Sequence, residues 1–234
     1  MSSQKFAQRL KLPPRTQKRL DHWQTNVPKW QHQVYGPLNS YLTTAFPLNM
    51  FIVKPQSLLR EQSASSPDDN DNDWDEGTTL DSIDSRGQAV TKTRSYPDFC
   101  VDQYWGADDD SNFKADIIRV IVEVGSRTKS LGDISYTRVF IQQQLEGYME
   151  AVGPQRWEGL LLGVCMLGSE VLLMRMAERD NDNVDADWNP SKDPSVSPQF
   201  VFTDSNGNPE WISMFDARFD HQMENVYRYC LAHD

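Results

Sequence analysis

The sequence predicts an α/β fold in which a central mixed sheet is flanked by helices. Residues 117–124 form a nearly continuous run of β-branched side chains, which is typical of a strand covered on both faces. Residues 34–46, 134–152 and 216–232 carry apolar side chains at helical spacing, so each is expected to lay one face against the sheet. A chain of 234 residues is long enough for one sizeable domain.

The predicted domain has three regions. Residues 1–55 are expected to form an N-terminal helical arm that packs on the core. Residues 56–94 form an acidic insertion that is predicted to be disordered, because it has too few apolar side chains to offset the entropy of ordering. Residues 95–234 form the core, which includes an acidic loop at 178–198 and a C-terminal helix.

Helix and turn signals mark the remaining elements. In the arm, helices are predicted at 5–12 and 16–24, followed by an extended piece at 50–53. In the core, two hairpins are predicted, one turning at Gly168-Ser169 and one at Asn206-Gly207. Residues 108–112 are expected to connect the first two core strands.

The charge is unevenly distributed along the chain. The formal net charge of −11 argues against nucleic-acid binding. Residues 1–60, however, hold nine Lys and Arg against one acid, a balance of +8, and residues 61–92 hold nine acids against two basic residues, a balance of −7. The basic arm either faces a nucleic acid or is merely solvated beside the acidic insertion.

Composition excludes several classes of protein. No apolar run of about 18 residues and no apolar signal segment is present, so we expect no membrane partner and an intracellular location, cytoplasmic or nuclear. Cys100, Cys165 and Cys230 are widely separated and are expected to be reduced and buried. The four histidines lack ligand spacing, which argues against zinc chemistry.

Two acidic residues lie at informative places in the predicted strands. Asp98 follows Pro97 near the start of a strand predicted at 96–101, where proline is tolerated. Glu123 lies inside the buried strand, and an unpartnered carboxylate there would be forced neutral or would need a cation. If the two strands are neighbours, Asp98 and Glu123 can converge on one Mg²⁺, which prefers oxygen ligands. The alternatives are a turn acceptor for Asp98 and an ion pair for Glu123.

Gln144 and Tyr148 are four residues apart in the predicted helix 134–152 and so share the face that reaches the same cleft. The alternatives are a surface glutamine and a core-edge tyrosine. Counting by twos along the strands puts Arg119 on the face of Glu123. It puts Asp102 on the side of Asp98, where Asp102 either enlarges the acidic site or faces solvent.

This order of motifs resembles the PD-(D/E)XK nuclease superfamily, which has the restriction-endonuclease-like fold. The resemblance covers roughly residues 90–176 and implies that Asp98 and Glu123 ligate Mg²⁺. It also implies that Gln144 and Tyr148, the Gln-x-x-x-Tyr pair, orient the site and contact DNA. The family has a lysine two positions after the second acid, where this chain has Gly125.

Lys129 is the candidate to replace the missing lysine, with Lys114 and Arg119 as alternatives. The resemblance thus implies a Mg²⁺-dependent phosphodiesterase that acts on DNA, weakened or inactive because of Gly125. The alternative is a non-catalytic module that keeps the scaffold and binds a protein or nucleic-acid partner.

Overall fold

The computed structural model describes residues 10–55, 59–60, 80–83, 89–91, 94–95, 97–104, 116–127, 134–152, 159–177 and 197–233. The helices within these ranges are α1 (Pro14–Trp23), α2 (Gln31–Ala45), α3 (Ile134–Ala151) and α4 (Ala217–Ala232). The strands are β1 (Phe51–Pro55), β2 (Leu59–Arg60), β3 (Leu80–Ile83), β4 (Ala89–Thr91), β5 (Arg94–Ser95), β6 (Phe99–Gln103), β7 (Ile117–Gly125), β8 (Leu160–Leu167), β9 (Glu170–Ala177), β10 (Gln199–Phe200) and β11 (Ile212–Ser213).

A seven-stranded sheet forms the centre of the fold. Its order is β1-β6-β7-β8-β9-β10, and β11 also pairs with β9. The pair β7–β8 is parallel and is linked through α3, whereas the other pairs in this sheet are antiparallel. The predicted α/β class with a mixed sheet and flanking helices is confirmed.

Helices cover both faces of the sheet. On the face that we call the first, α1, α2 and α4 pack through side chains such as Trp23, Leu38 and Met223. On the second face, α3 packs through Ile141 and Leu145, among others. All nine residues of β7 are buried between these layers, which explains why its sequence is apolar without alternation.

A β-bulge interrupts the pairing of β6 with β7. The register shifts by one residue, and Arg119 is the extra residue on β7. Its side chain turns to the first face, where Nε donates to Gln103 Oε1 at 2.8 Å and the guanidinium lies 5.3 Å from the ring centroid of Tyr229. The prediction that Arg119 shares the face of Glu123 is wrong, because a bulge breaks the period-two alternation.

Helix α2 begins three residues earlier than its apolar pattern predicts. The side-chain Oε1 of Gln33 accepts hydrogen bonds from the backbone N–H groups of Lys29 at 3.0 Å and Trp30 at 3.2 Å. These bonds satisfy donors that precede the first helical turn, so the helix extends back to Gln31.

The first predicted hairpin is confirmed as β8–β9, with Gly168 at φ 68°. A Cβ on Gly168 would lie 2.6 Å from Arg127 Cδ and 2.7 Å from Val27 Cγ1, so glycine is needed for space as well as for backbone geometry. The second predicted hairpin closes at its tip, where Thr203 bridges Pro209. Its strands β10 and β11, however, both pair with β9 and not with each other.

Other predictions have mixed outcomes. The helices predicted at 16–24 and 216–232 are present, and Cys100, Cys165 and Cys230 are buried free thiols. Residues 10–12 are not helical, and 5–9, 108–112 and 178–196 lie outside the described residues. Within 56–94, the described residues form the antiparallel pairs β2–β5 and β3–β4, which the sequence analysis did not predict. A search of the described helices for one with the length and apolarity of a membrane span finds none.

A candidate metal centre between the central strands

The two predicted acids lie side by side where β6 begins and β7 ends. Phe99 pairs with Val122, so Asp98, one residue earlier on its strand, lies opposite Glu123 on the other. The backbone N–H of Val124 donates to Asp98 Oδ2 at 2.7 Å. The backbone amide of Asp98 in turn hydrogen-bonds with the Glu123 carboxylate. Both acids are buried, at 4% and 7% exposure.

Helix α2 supplies further donors to Asp98. Gln31 Nε2 lies 3.0 Å from Asp98 Oδ1 and 2.9 Å from Oδ2, and the Tyr35 hydroxyl donates to Oδ1. Burial raises the pKa of Asp98, while the hydrogen bonds from Tyr35, Val124 and Gln31 act in the opposite direction. These donors favour the ionised form of Asp98 over that of its neighbour.

Glu123 lacks comparable stabilisation. Its Oε2 is buried and accepts no hydrogen bond from the described residues. Burial, and then the charge of Asp98, raise the pKa of Glu123 well above its usual value. Of the two carboxyl groups, Glu123 therefore has the more strongly raised pKa.

Helix α3 brings Tyr148 to the two acids from the second face. Burial and the negative charges of Glu123 and Asp98 raise the pKa of the half-buried Tyr148, so its hydroxyl stays neutral. Gln144 lies one turn earlier and is also half-buried, but no hydrogen bond joins it to either acid among the described residues. Cys165 of β8 is also near, since burial and the charges of Glu123 and Glu146 raise the pKa of its thiol.

The space next to Gly125, where the resembled family has a lysine, is occupied by other side chains. A Cβ on Gly125 would lie 3.0 Å from Ile141 Cγ2 and 3.2 Å from Leu167 Cδ1. A side chain at 125 would therefore meet α3 and β8 before reaching the carboxylates. Lys129 and Lys114 lie outside the described residues.

An exposed rim adjoins the acids where the α1–α2 connection meets the end of β7. The backbone N–H of Gln31 donates to Ser126 Oγ at 3.2 Å, and that of Arg127 donates to the Lys29 carbonyl at 2.8 Å. The side chain of Trp30, between these contacts, is 49% exposed.

Asp102 belongs to a separate cluster. It is fully buried, and Lys54 Nζ lies 2.8 Å from its Oδ2 and 3.0 Å from Asp116 Oδ2. The expectation that Asp102 faces solvent or enlarges the site is wrong, because the edge strand β1 pairs with β6 and brings Lys54 over it.

The paired acids fit a hard divalent cation. Such an ion would supply the positive charge that Glu123 Oε2 lacks, and Mg²⁺ commonly takes one or two protein carboxylates and several waters. No group of three or more His, Cys, Asp or Glu suited to a metal occurs in the described part of the chain. Any cation here would therefore depend on Asp98 and Glu123.

Gln31 and Tyr35 are site residues that the sequence analysis missed. Detection of Gln31 required the true start of α2, and its only local signal was Gln33, placed three residues after Trp30 as in a capping box. The contacts of Gln31 and Tyr35 with Asp98 span 67 and 63 residues, which no local pattern reveals.

Comparison of the chain with protein-family models, with curated proteins and with solved structures finds no match.

Proposed function

We propose that this protein is a Mg²⁺-dependent phosphodiesterase that acts on DNA, with a restriction-endonuclease-like core. The observation that carries the proposal is the buried Glu123 carboxylate, one oxygen of which accepts no hydrogen bond from the described residues, beside the buried Asp98. A buried acid pair of this kind is costly for folding alone and is common where a cation is bound. The mixed sheet and the order of Asp98, Glu123 and Tyr148 along the chain, at two strands and the helix that follows them, support the same fold assignment.

The chain's own residues take distinct parts in this proposal. Asp98 and Glu123 would hold the ion, and Gln31 and Tyr35 keep Asp98 oriented and charged. Tyr148 offers a neutral hydroxyl within electrostatic range of both acids, and Gln144 would extend the same helix face toward substrate. When bound, Mg²⁺ stabilises negative charge on phosphate oxygens and lowers the pKa of a coordinated water.

The N-terminal region supports DNA as the substrate despite the net charge of −11. Within residues 10–55, six Lys and Arg stand against one acid, Asp21, a balance of +5. Arg15, Lys18, Arg19 and Lys29 are exposed. A basic surface of this kind attracts phosphates whatever the charge of the rest of the chain.

Activity is expected to be slow. A positively charged side chain at the reacting phosphate typically stabilises the transition state by a few kcal/mol. A stabilisation of about 2.7 kcal/mol already raises the rate a hundredfold. Gly125 cannot provide this charge.

A second candidate is a non-catalytic module that binds a protein or nucleic-acid partner. Two observations favour it. Both oxygens of Asp98 already accept hydrogen bonds, which come from Gln31, Tyr35 and Val124. The space next to Gly125 is filled by Ile141 and Leu167.

Calorimetric titration of the full chain with Mg²⁺ separates the two candidates. We expect wild type to bind the ion and to cleave plasmid or single-stranded DNA above a chelator control, and Glu123→Gln to lose both. Asp102→Asn is the matched control, because Asp102 is a buried acid outside the site, on β6, the strand that pairs with β7. A folded wild type with no Mg²⁺ affinity and no cleavage would leave the non-catalytic candidate.

A further inference from the structure

We infer that the DNA bound at this site is single-stranded and that Trp30 stacks on one of its bases beside the carboxylates. This inference rests on the proposed function for the position of the scissile phosphate.

Trp30 belongs to neither apolar core formed by the described residues. Trp30 is 49% exposed. Trp23, in the same region, is 2% exposed and belongs to the apolar core on the first face of the sheet. It stands at the N-cap position of α2, where residues with a side-chain acceptor are preferred, and Gln33 performs the capping instead. A single exposed apolar side chain is ordinary on a protein surface, so the neighbours of Trp30 decide whether it marks a binding surface.

A second aromatic ring accompanies it. The rings of Trp30 and His32 lie nearly parallel, at 18°, with centroids 6.4 Å apart, and His32 is also exposed. Two near-parallel exposed rings offer flat faces on which a base can stack, and this contact tolerates any base.

Gln31 links the two ring-bearing residues to the candidate metal centre. Gln31 lies between them in sequence, and its side chain binds Asp98 while its backbone N–H binds Ser126. A strand whose phosphate reached Asp98 would therefore carry its neighbouring bases over Trp30 and His32.

Cations lie at the same rim. Lys29 is exposed and Arg127 is half-buried, and a backbone hydrogen bond of 2.8 Å joins these two residues. Basic side chains interleaved with aromatic rings are the pattern that binds single strands, because the phosphates and the base faces are contacted together. In a duplex the base faces are already stacked on each other, so Trp30 would gain no such contact.

The test measures binding without cleavage. Fluorescence anisotropy of a labelled single strand, a duplex and an RNA strand of the same sequence is recorded with the full chain in a chelator. We expect wild type to bind the single-stranded DNA at least about tenfold more tightly than the duplex. Trp30→Ala should weaken single-strand binding by about tenfold to a hundredfold and leave duplex binding unchanged, and Trp30→Phe should retain part of the affinity.

Tyr104→Ala is the matched control, because Tyr104 is 39% exposed at the opposite end of β6. It should bind single strands like wild type. Equal affinity of wild type and Trp30→Ala, tighter binding of duplex or RNA than of single-stranded DNA, or no DNA binding at all would each overturn the inference. Because no Mg²⁺ is present, Trp30-dependent binding in a protein that lacks Mg²⁺ affinity would refute only the proposed catalysis.

Discussion

The backbone N–H of Val124 donates to Asp98 Oδ2 at 2.7 Å, across the junction between β7 and the residue that opens β6. The amide of Asp98 hydrogen-bonds in the other direction, with Glu123. Asp98 is therefore held in place by the backbone of the neighbouring strand, next to Glu123.

The first prediction concerns the cost of burying Glu123. Burial and the charge of Asp98 raise the pKa of Glu123 above its ordinary 4.5, so the folded protein retains a proton that the unfolded chain releases. The contribution of Glu123 to the unfolding free energy should therefore be fully present below about pH 4.5 and should be lost as the pH rises through the raised pKa. Glu123→Gln should remove this dependence and stabilise the protein at pH 8 by about 1–3 kcal/mol.

Urea unfolding at several pH values in a chelator measures this effect. Asp102→Asn serves as a control, since Asp102 is buried but paired with Lys54. Parallel pH profiles for wild type and Glu123→Gln would contradict the pKa argument.

The second prediction concerns Gln31. Its amide donates to both oxygens of Asp98. Gln31→Glu replaces these donors with a third carboxylate, which should lower the unfolding free energy by about 1–3 kcal/mol without metal, through like-charge repulsion and lost hydrogen bonds. It should raise Mg²⁺ affinity about tenfold or more, because the ion then meets three acids.

Calorimetry and thermal unfolding with and without Mg²⁺ test both parts. Gln143→Glu makes the same change at an exposed position on α3 and should alter neither quantity. If Gln31→Glu loses stability but Mg²⁺ affinity stays unchanged, Asp98 has a structural role only.

The third prediction concerns Gly125. Gly125 is not among the described glycines with positive φ, yet a Cβ there would lie 3.0 Å from Ile141 Cγ2. Gly125→Lys alone should therefore lower the unfolding free energy by about 1–3 kcal/mol through overpacking and should not raise cleavage. Adding Ile141→Ala should make room for the side chain and raise Mg²⁺-dependent cleavage above wild type.

Ile141→Ala alone is the control for the cavity that this change opens. Cleavage rates on plasmid and single-stranded DNA, normalised to the folded fraction, give the comparison. A single Gly125→Lys variant that is as stable as wild type would mean that the space next to Gly125 is open.

The central elements could be predicted because their signals are local. The β-branched run of β7 and the apolar stripe of α3 specify burial without reference to distant residues, and with them the place of Glu123. Pro97 marks the start of β6 and so the place of Asp98.

The surroundings of the acids could not be predicted in the same way. Gln31 and Tyr35 contact Asp98 across 67 and 63 residues of the chain, and Gln31 lies before the helix that the apolar pattern predicts. Arg119 changes face because of a bulge, which leaves no mark in the hydrophobic pattern. Lys54 buries Asp102 through strand pairing over 48 residues.

The pairing of β2 with β5 brings together the two ends of the chain segment that joins these strands. Leu59 pairs with Ser95 and Arg60 with Arg94, so the two ends of that segment are held next to each other by their own backbone bonds. The closure entropy of a loop grows only with the logarithm of its length, by about 0.6 kcal/mol for each doubling. The pairing of β2 with β5 should therefore depend only weakly on the number of residues between Arg60 and Arg94, so a change in that number costs the closure of this segment little free energy.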